Sequence, residues 1–360
     1  MARPRTAWRA RAGAALCAVT LALATACAAG GGREGPPGGV MLVLADSFPT
    51  THPVSREGAR FFMERVGELT GGRVRFEYFP SEQLGAAEDF VSLARSGVVD
   101  VAMVSPGYVA SQLPLSGVAD LPGMSSTSCR GSLAVESLLA EGGVLHEVEF
   151  APDGLRPLLV GVIPGYEVMT GGGRAVTEPA DVAGLQLRSS GGAIDRTVRM
   201  LGAAPVAMPV TEMYEAISRG TVDGTVLGPM SALPYRLDEA ATHSTEGAQL
   251  GSFTITYSIG TQAWDELPAD LQAALAQAGR DTTRHLCRAI DDENAGSREE
   301  LAAGGMRFHT LTPEEQQRWQ EAVAPVREQW VADMERLGLP GRAVLDAMLA
   351  ALRELPEDPR

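Results

Sequence analysis

Few residues in this chain are arranged to do chemistry, and the most suggestive is Arg188. It closes an apolar-alternating run, Gly184-Leu185-Gln186-Leu187, and two hydroxyl residues, Ser189 and Ser190, follow it. A short strand that ends on a guanidinium flanked by hydroxyls suits the capture of an anion at the carboxyl edge of a sheet. Taken alone, the run fits a surface arginine at a loop equally well. The other reactive side chains are scattered. His52, His146, His243, His285 and His309 lack metal-ligand spacing, and no cysteine pair stands beside them. No G-x-S-x-G elbow, P-loop or G-x-G-x-x-G occurs. The glycine-rich "TGGGR" at 170–174 neither follows a clear strand nor leads into a helix, so it reads as a turn. No nucleophile is assembled with its base, and no cofactor or metal is expected. This pattern points to binding rather than catalysis.

The compartment is written at the N-terminus. Arginines precede the apolar run "AGAALCAVTLALATA", and Ala24-Thr25-Ala26 leads to Cys27, as in a secretory signal over residues 1–26. The small residues before Cys27 resemble the lipobox of bacterial lipoproteins, with Ala24 where Leu is usual; acylation at Cys27 is expected. "AAGGGREGPPGG" then forms a flexible tether within 27–39. No later segment approaches the roughly 20 apolar residues of a membrane helix, so membrane contact is expected through the anchor alone, on the extracytoplasmic face. Cys17 falls in the signal, which leaves Cys129 and Cys287 either bonded or as two buried thiols.

The 360 residues suffice for two ordinary domains, and an apolar content of 45% supports a sizeable core. The formal charge is −15, and loss of the four arginines in the signal takes it to −19. Such an acidic surface repels nucleic acid and anionic lipid.

The elements that would position Arg188 alternate between strand and helix. "MLVLADSFP" reads as a buried strand, and Ala59, Phe62, Val66 and Leu69 mark one helical face ended by Gly71-Gly72. "RVRFEYF" is a strand, "GAAEDFVSLARSG" a short helix and "VVDVAMVS" an apolar strand. The same grammar returns after Arg188, with Ile194, Val198 and Leu201 aligned on a helix, then "PVAMP", "TEMYEAISRG" and "TVDGTVLG". "LARSGVVDVAMV" (93–104) and "ISRGTVDGTVLG" (217–228) form a weak repeat: a helix stopped by glycine, then x-Val-Asp opening a strand. Asp100 and Asp223 are expected to satisfy backbone donors at these joints. Two similar α/β lobes follow, with parallel strands covered on both faces. The last third is helical. Pro268 opens a long helix suited to bracing both lobes, and "TPEE" (312–315) is a capping box.

Several of these motifs, in this order, resemble the TRAP-transporter solute-binding proteins of the DctP type. The stretch from "LVLADSFPTTHP" through "GELTGGRVRFEYFPSEQLG" to "VVDVAMVSPGY" is similar to that family's N-terminal lobe. "DVAGLQLRSS", "LGAAPVAMPVTEMYEAISRGTVDG" and "AWDELPADLQ" resemble its later motifs, and together they cover about residues 40–350. The resemblance implies a two-lobed periplasmic-binding-protein-like fold (class II-like), braced by a long helix and closing over a ligand. It divides the chain into lobe I, 40–164 plus 254–292, and lobe II, 165–253 plus 293–355. It also implies a monomer that captures a small organic acid and delivers it to membrane permease subunits, with no enzymatic role. Arg188 falls on the family's carboxylate-pairing arginine. Ser47, Phe48, Ser105 and Tyr108 fall on the N-terminal wall of the cleft, and Ser189, Val210, Leu227 and Met230 on the opposite wall. Where the sialic-acid-binding branch has a second arginine, this chain has Glu167, and Leu227 replaces that branch's asparagine. The site should therefore suit a monocarboxylate with an apolar or aromatic body, such as a 2-oxo acid. An ABC-type binding lipoprotein and a ligand-presenting sensor partner share the fold and remain alternatives.

Overall fold

The computed structural model describes residues 39–357 and Pro359. The signal segment, Cys27 and nearly all of the tether lie outside them. Two sheets organise the chain. The first contains β1 (Val40–Ala45), β2 (Val74–Phe79), β3 (Val101–Val104), β4 (Leu155–Ile163) and β10 (Phe253–Gly260) in the order β2-β1-β3-β10-β4. The second contains β5 (Glu167–Thr170), β6 (Gln186–Ser189), β7 (Ala204–Ala207), β8 (Gly224–Leu227), β9 (His243–Glu246) and β11 (Arg307–Thr310) in the order β11-β9-β5-β8-β6-β7. The fold is α/β and two-lobed, one sheet per lobe.

The weak sequence repeat corresponds to a real structural one. In the first sheet β1 pairs in parallel with β2 and β3; in the second, β6 pairs in parallel with β7 and β8. At the β3 joint the Asp100 carboxylate accepts the Val43 amide at 2.6 Å, while the Asp100 amide donates to Val43 O at 3.0 Å. At the β8 joint Asp223 makes the same pair of bonds with Gln186, both at 2.8 Å. The helices before them, α2 (Phe90–Arg95) and α5 (Met213–Ser218), end at Gly97 and Gly220, whose φ angles of +73° and +68° permit the left-handed cap. These aspartates tie neighbouring strands together.

Helices cover the sheets through apolar stripes. Ala59, Phe62 and Val66 are fully buried as expected along the segment leading into α1 (Phe61–Thr70), but Leu69 is 39% exposed and Thr70 is buried in its place. The stripe rotates at the last turn, where the Thr70 hydroxyl donates to Val66 O and accepts the Val74 amide that starts β2. In α4 (Gly192–Met200), Ile194 and Val198 face inward, followed by Leu201.

Two short crossings join the lobes, Pro164–Tyr166 between β4 and β5, and residues 247–252 between β9 and β10. They are hydrogen-bonded to each other, Tyr166 N to Gly251 O at 3.1 Å and Leu250 N to Tyr166 O at 2.9 Å. After the short α6 (Thr261–Asp265), the long helix α7 (Ala269–Ala303) packs on β4, α1 and α3 (Ser128–Leu139) of the first lobe and on the 229–231 turn of the second. It lies against β4 so closely that a Cβ at Gly279 would meet Leu158 O at 1.9 Å. Cys129 at the start of α3 is bonded to Cys287 on α7. The expected capping box is formed, with Thr312 and Glu315 bonding each other's backbone amides.

Candidate functional site

The site is built where β1, β3 and β6 run out at their carboxyl ends, the usual place for ligands in parallel α/β sheets. Arg188, on β6, is only 1% exposed. Its Nε and Nη2 both donate to Met208 O, at 3.1 and 2.9 Å, which fixes the plane of the guanidinium. Its Nη1 has no hydrogen-bond partner, and no carboxylate pairs with it among the described residues. A buried guanidinium with a free edge is costly unless a counter-charge meets it. A surface arginine is thereby excluded.

Further buried polar groups are unsatisfied among the described residues. The buried hydroxyls of Ser47, Ser105, Ser190 and Tyr235 also lack partners. Ser47 and Ser105 follow β1 and β3, and Ser190 follows Arg188 by two positions. Asp46 holds the loop that presents Ser47 and Phe48: its buried carboxylate accepts from the Phe48 amide, Ser55, Tyr78 and Tyr257 at 2.7–2.9 Å. Burial pushes its pKa up, and these four donors oppose the shift.

The walls are aromatic and apolar. Tyr108 packs on Phe253 with centroids 5.1 Å apart, Phe253 meets Phe48 edge-on at 6.4 Å, and Phe48 stacks on His52 at 4.1 Å. Val210, Leu227 and Met230 are buried on the second lobe's side. Burial raises the phenol pKa of Tyr108, Tyr166 and Tyr235, so all three remain neutral, while Arg188 opposes the shift in each. The lobes touch across the site: the Val210 amide donates to the Tyr108 oxygen at 3.3 Å, and Thr211 Oγ1 to Glu82 at 3.2 Å. Backbone meets backbone where Gly191, at φ +89°, faces Gly107; a Cβ there would lie 2.6 Å from Gly107 O.

Two expected residues are committed elsewhere. The Ser189 hydroxyl donates to Asp195 in the first turn of α4, so the free hydroxyl after the arginine belongs to Ser190. Glu167 is turned away into the hinge, where its carboxylate accepts from Thr245, Gly247 and Ala248 at 2.7–3.1 Å. Of the other named positions, Ser47, Phe48, Ser105, Val210, Leu227 and Met230 are buried and Tyr108 is half-buried. Sequence reasoning missed Ser190, Tyr235, Phe253 and His52. Ser190 stood in plain view beside Arg188, but nothing local marked the other three. Among the described residues no cluster of His, Cys, Asp or Glu could hold a metal ion, and no helix is long and apolar enough to cross a membrane.

The family model for bacterial extracellular solute-binding protein family 7, DctP, matches residues 44–333. The chain belongs to this family. Family 7 proteins are solute-binding components of TRAP transporters, not enzymes. The C4-dicarboxylate-binding periplasmic protein DctP of Rhodobacter capsulatus is 28% identical over 306 residues, covering 82% of this chain and 86% of its own. A TRAP solute-binding protein from Rhodoferax ferrireducens, crystallised with copurified benzoate, superposes with a TM-score of 0.80 at 26% identity, covering 88% of this chain and 98% of its own. Another from Bordetella bronchiseptica, with bound (R)- and (S)-mandelate, gives 0.79 at 27% identity, covering 88% and 99%.

Proposed function

We propose that this family 7 protein captures a small monocarboxylate with an aromatic or apolar body and delivers it to the permease subunits of a TRAP transporter. The single observation that carries the reading is the buried Arg188 with its free Nη1 edge inside an aromatic wall. Guanidinium and carboxylate form two parallel charge-assisted bonds, which fix the acid's orientation. Phe48, Tyr108 and Phe253 offer a ring or chain somewhere to lie, and the free hydroxyls offer partners to an oxo or hydroxy group beside the carboxylate. The benzoate and mandelate held by the two related proteins fit that description. Lobe I would comprise 40–164 plus 254–292 and lobe II 165–253 plus 293–355, working as a monomer.

A thermal-shift screen over carboxylic acids, with benzoate, mandelate, 2-oxo acids and dicarboxylates in the set, tests the cargo class. A ligand that binds only the folded state raises the melting temperature by mass action, about 2.7 kcal/mol at a hundredfold excess over Kd. Monocarboxylates should give the large shifts; a response confined to dicarboxylates or sugars would refute the reading. Binding should also close the lobes about the paired crossings, so small-angle scattering at saturating acid should give a smaller radius of gyration. Lipid anchoring at Cys27 belongs to the same proposal. Cys27→Ser should leave the chain unprocessed or released to the medium, and full processing with unchanged membrane retention would exclude the anchor.

A further inference from the structure

His52 is fully buried, and its ring is bonded on both sides. Nδ1 lies 3.1 Å from the Val54 amide, which can only donate, so Nδ1 accepts and the ring proton sits on Nε2. Nε2 in turn lies 3.3 Å from Ser231 Oγ. Ser231 belongs to the second lobe, in the 229–231 turn after β8, and is 2% exposed. This hydrogen bond links the segment that leads into α1 with the turn after β8, beside Phe48, on which the imidazole stacks with the planes 15° apart.

We infer that His52 is a cross-lobe positioning residue: as the neutral Nε2–H tautomer it latches the closed form to Ser231, so that cargo is held less tightly in acid. The inference rests on the cargo reading above. Its physical basis is the donor inventory. A protonated imidazole has two donors, and the one on Nδ1 would point at the Val54 N–H, donor against donor. Among the described residues no carboxylate bonds the ring to repay this. Arg56, on the same segment, opposes a second positive charge, and Tyr235, tilted 6.0 Å away on the second lobe, is a neutral phenol. Asp46, whose field reaches Tyr235, already accepts four hydrogen bonds. Burial and Arg56 accordingly push the imidazole down to about 3 from its ordinary 6.5. The closed form therefore binds fewer protons than the open form, in which the ring is free to meet water. Affinity is full above about 6.5 and falls as pH drops below it.

Calorimetric titration with benzoate and with mandelate at pH 7.5 and 5.0 tests this, using the wild type, His52→Gln and Ser231→Ala. Wild-type affinity should fall about 30-fold between the two, the protonation ratio of an open-state imidazole 1.5 units above the lower pH. In His52→Gln the two affinities should agree within about threefold, because the amide can still reach Ser231 but cannot titrate. Ser231→Ala should weaken binding at pH 7.5 by about fivefold, the worth of one neutral hydrogen bond, and keep the acid loss. Asp120 and Glu149, raised to about 7 by burial, titrate in the same range, and the glutamine variant separates their effect from that of His52. A flat wild-type profile, an undiminished slope in His52→Gln, or full affinity in Ser231→Ala would each overturn the latch while leaving the cargo reading intact. Failure of both acids to bind at pH 7.5 would instead overturn the aromatic-acid reading, and the latch with it.

Discussion

Arg188→Ala should lower affinity for benzoate or mandelate by about 2–5 kcal/mol, roughly 30-fold to several thousand-fold. The loss is large because the variant leaves the acid's carboxylate desolvated among Phe48, Tyr108 and Phe253 with no counter-charge. Arg188→Lys should recover only part of it. An ammonium keeps the charge, but it cannot donate to Met208 O through two nitrogens and still offer a planar edge to the cargo. The unliganded melting temperature of Arg188→Ala should stay close to wild type. The substitution frees Met208 O, but it also removes a buried cation that has no counter-ion among the described residues, and the two effects oppose each other. Calorimetric titration and thermal melts on the same samples check both halves. Wild-type affinity in Arg188→Ala would reduce the residue to a structural cation.

The second large effect concerns stability. Cys129 and Cys287 are 158 residues apart in sequence, and their bond closes both crossings and everything between them, residues 165–253 of the second lobe included, into one loop. Replacing both with alanine should cost about 2–5 kcal/mol, mainly by returning entropy to the unfolded chain. The native packing of α3 on α7 should survive, since Cys129 and Cys287 are buried among apolar neighbours that alanine still fits. Chemical denaturation should therefore show a lower midpoint, with cargo affinity almost unchanged. An unchanged midpoint would mean that the helix contacts, not the covalent link, restrain the chain.

Much of this architecture was legible because it depends on local rules. Gly97 and Gly220 stop helices by the left-handed conformation they adopt, and the aspartates three residues later answer backbone donors next door, so the repeat was visible without coordinates. Thr312, Pro313 and Glu315 announced a helix start for the same reason. Leu69 broke the pattern because a helix face ends where the packed surface ends, and that depends on what lies opposite.

The site divides along the same line. Arg188, its strand, and the residues that follow β1 and β3 can be read along the chain, because a strand's carboxyl end is a position in sequence. Which polar atoms are left free depends on packing. Ser189 looked available, but Asp195 lies six residues on and one helical turn folds it back; Ser190 is left with an unpaired hydroxyl instead. Glu167 looked like part of the cleft until the end of β9 and the turn after it, some eighty residues away, supplied three donors for its carboxylate, from Thr245, Gly247 and Ala248. His52, Tyr235 and Phe253 enter from distant segments. A hydrogen bond or ring contact between residues 179 positions apart, as between His52 and Ser231, leaves no periodic trace in sequence. Spacing encodes what each element presents; the packing of one lobe against the other decides which of those groups are satisfied, and so which remain to bind.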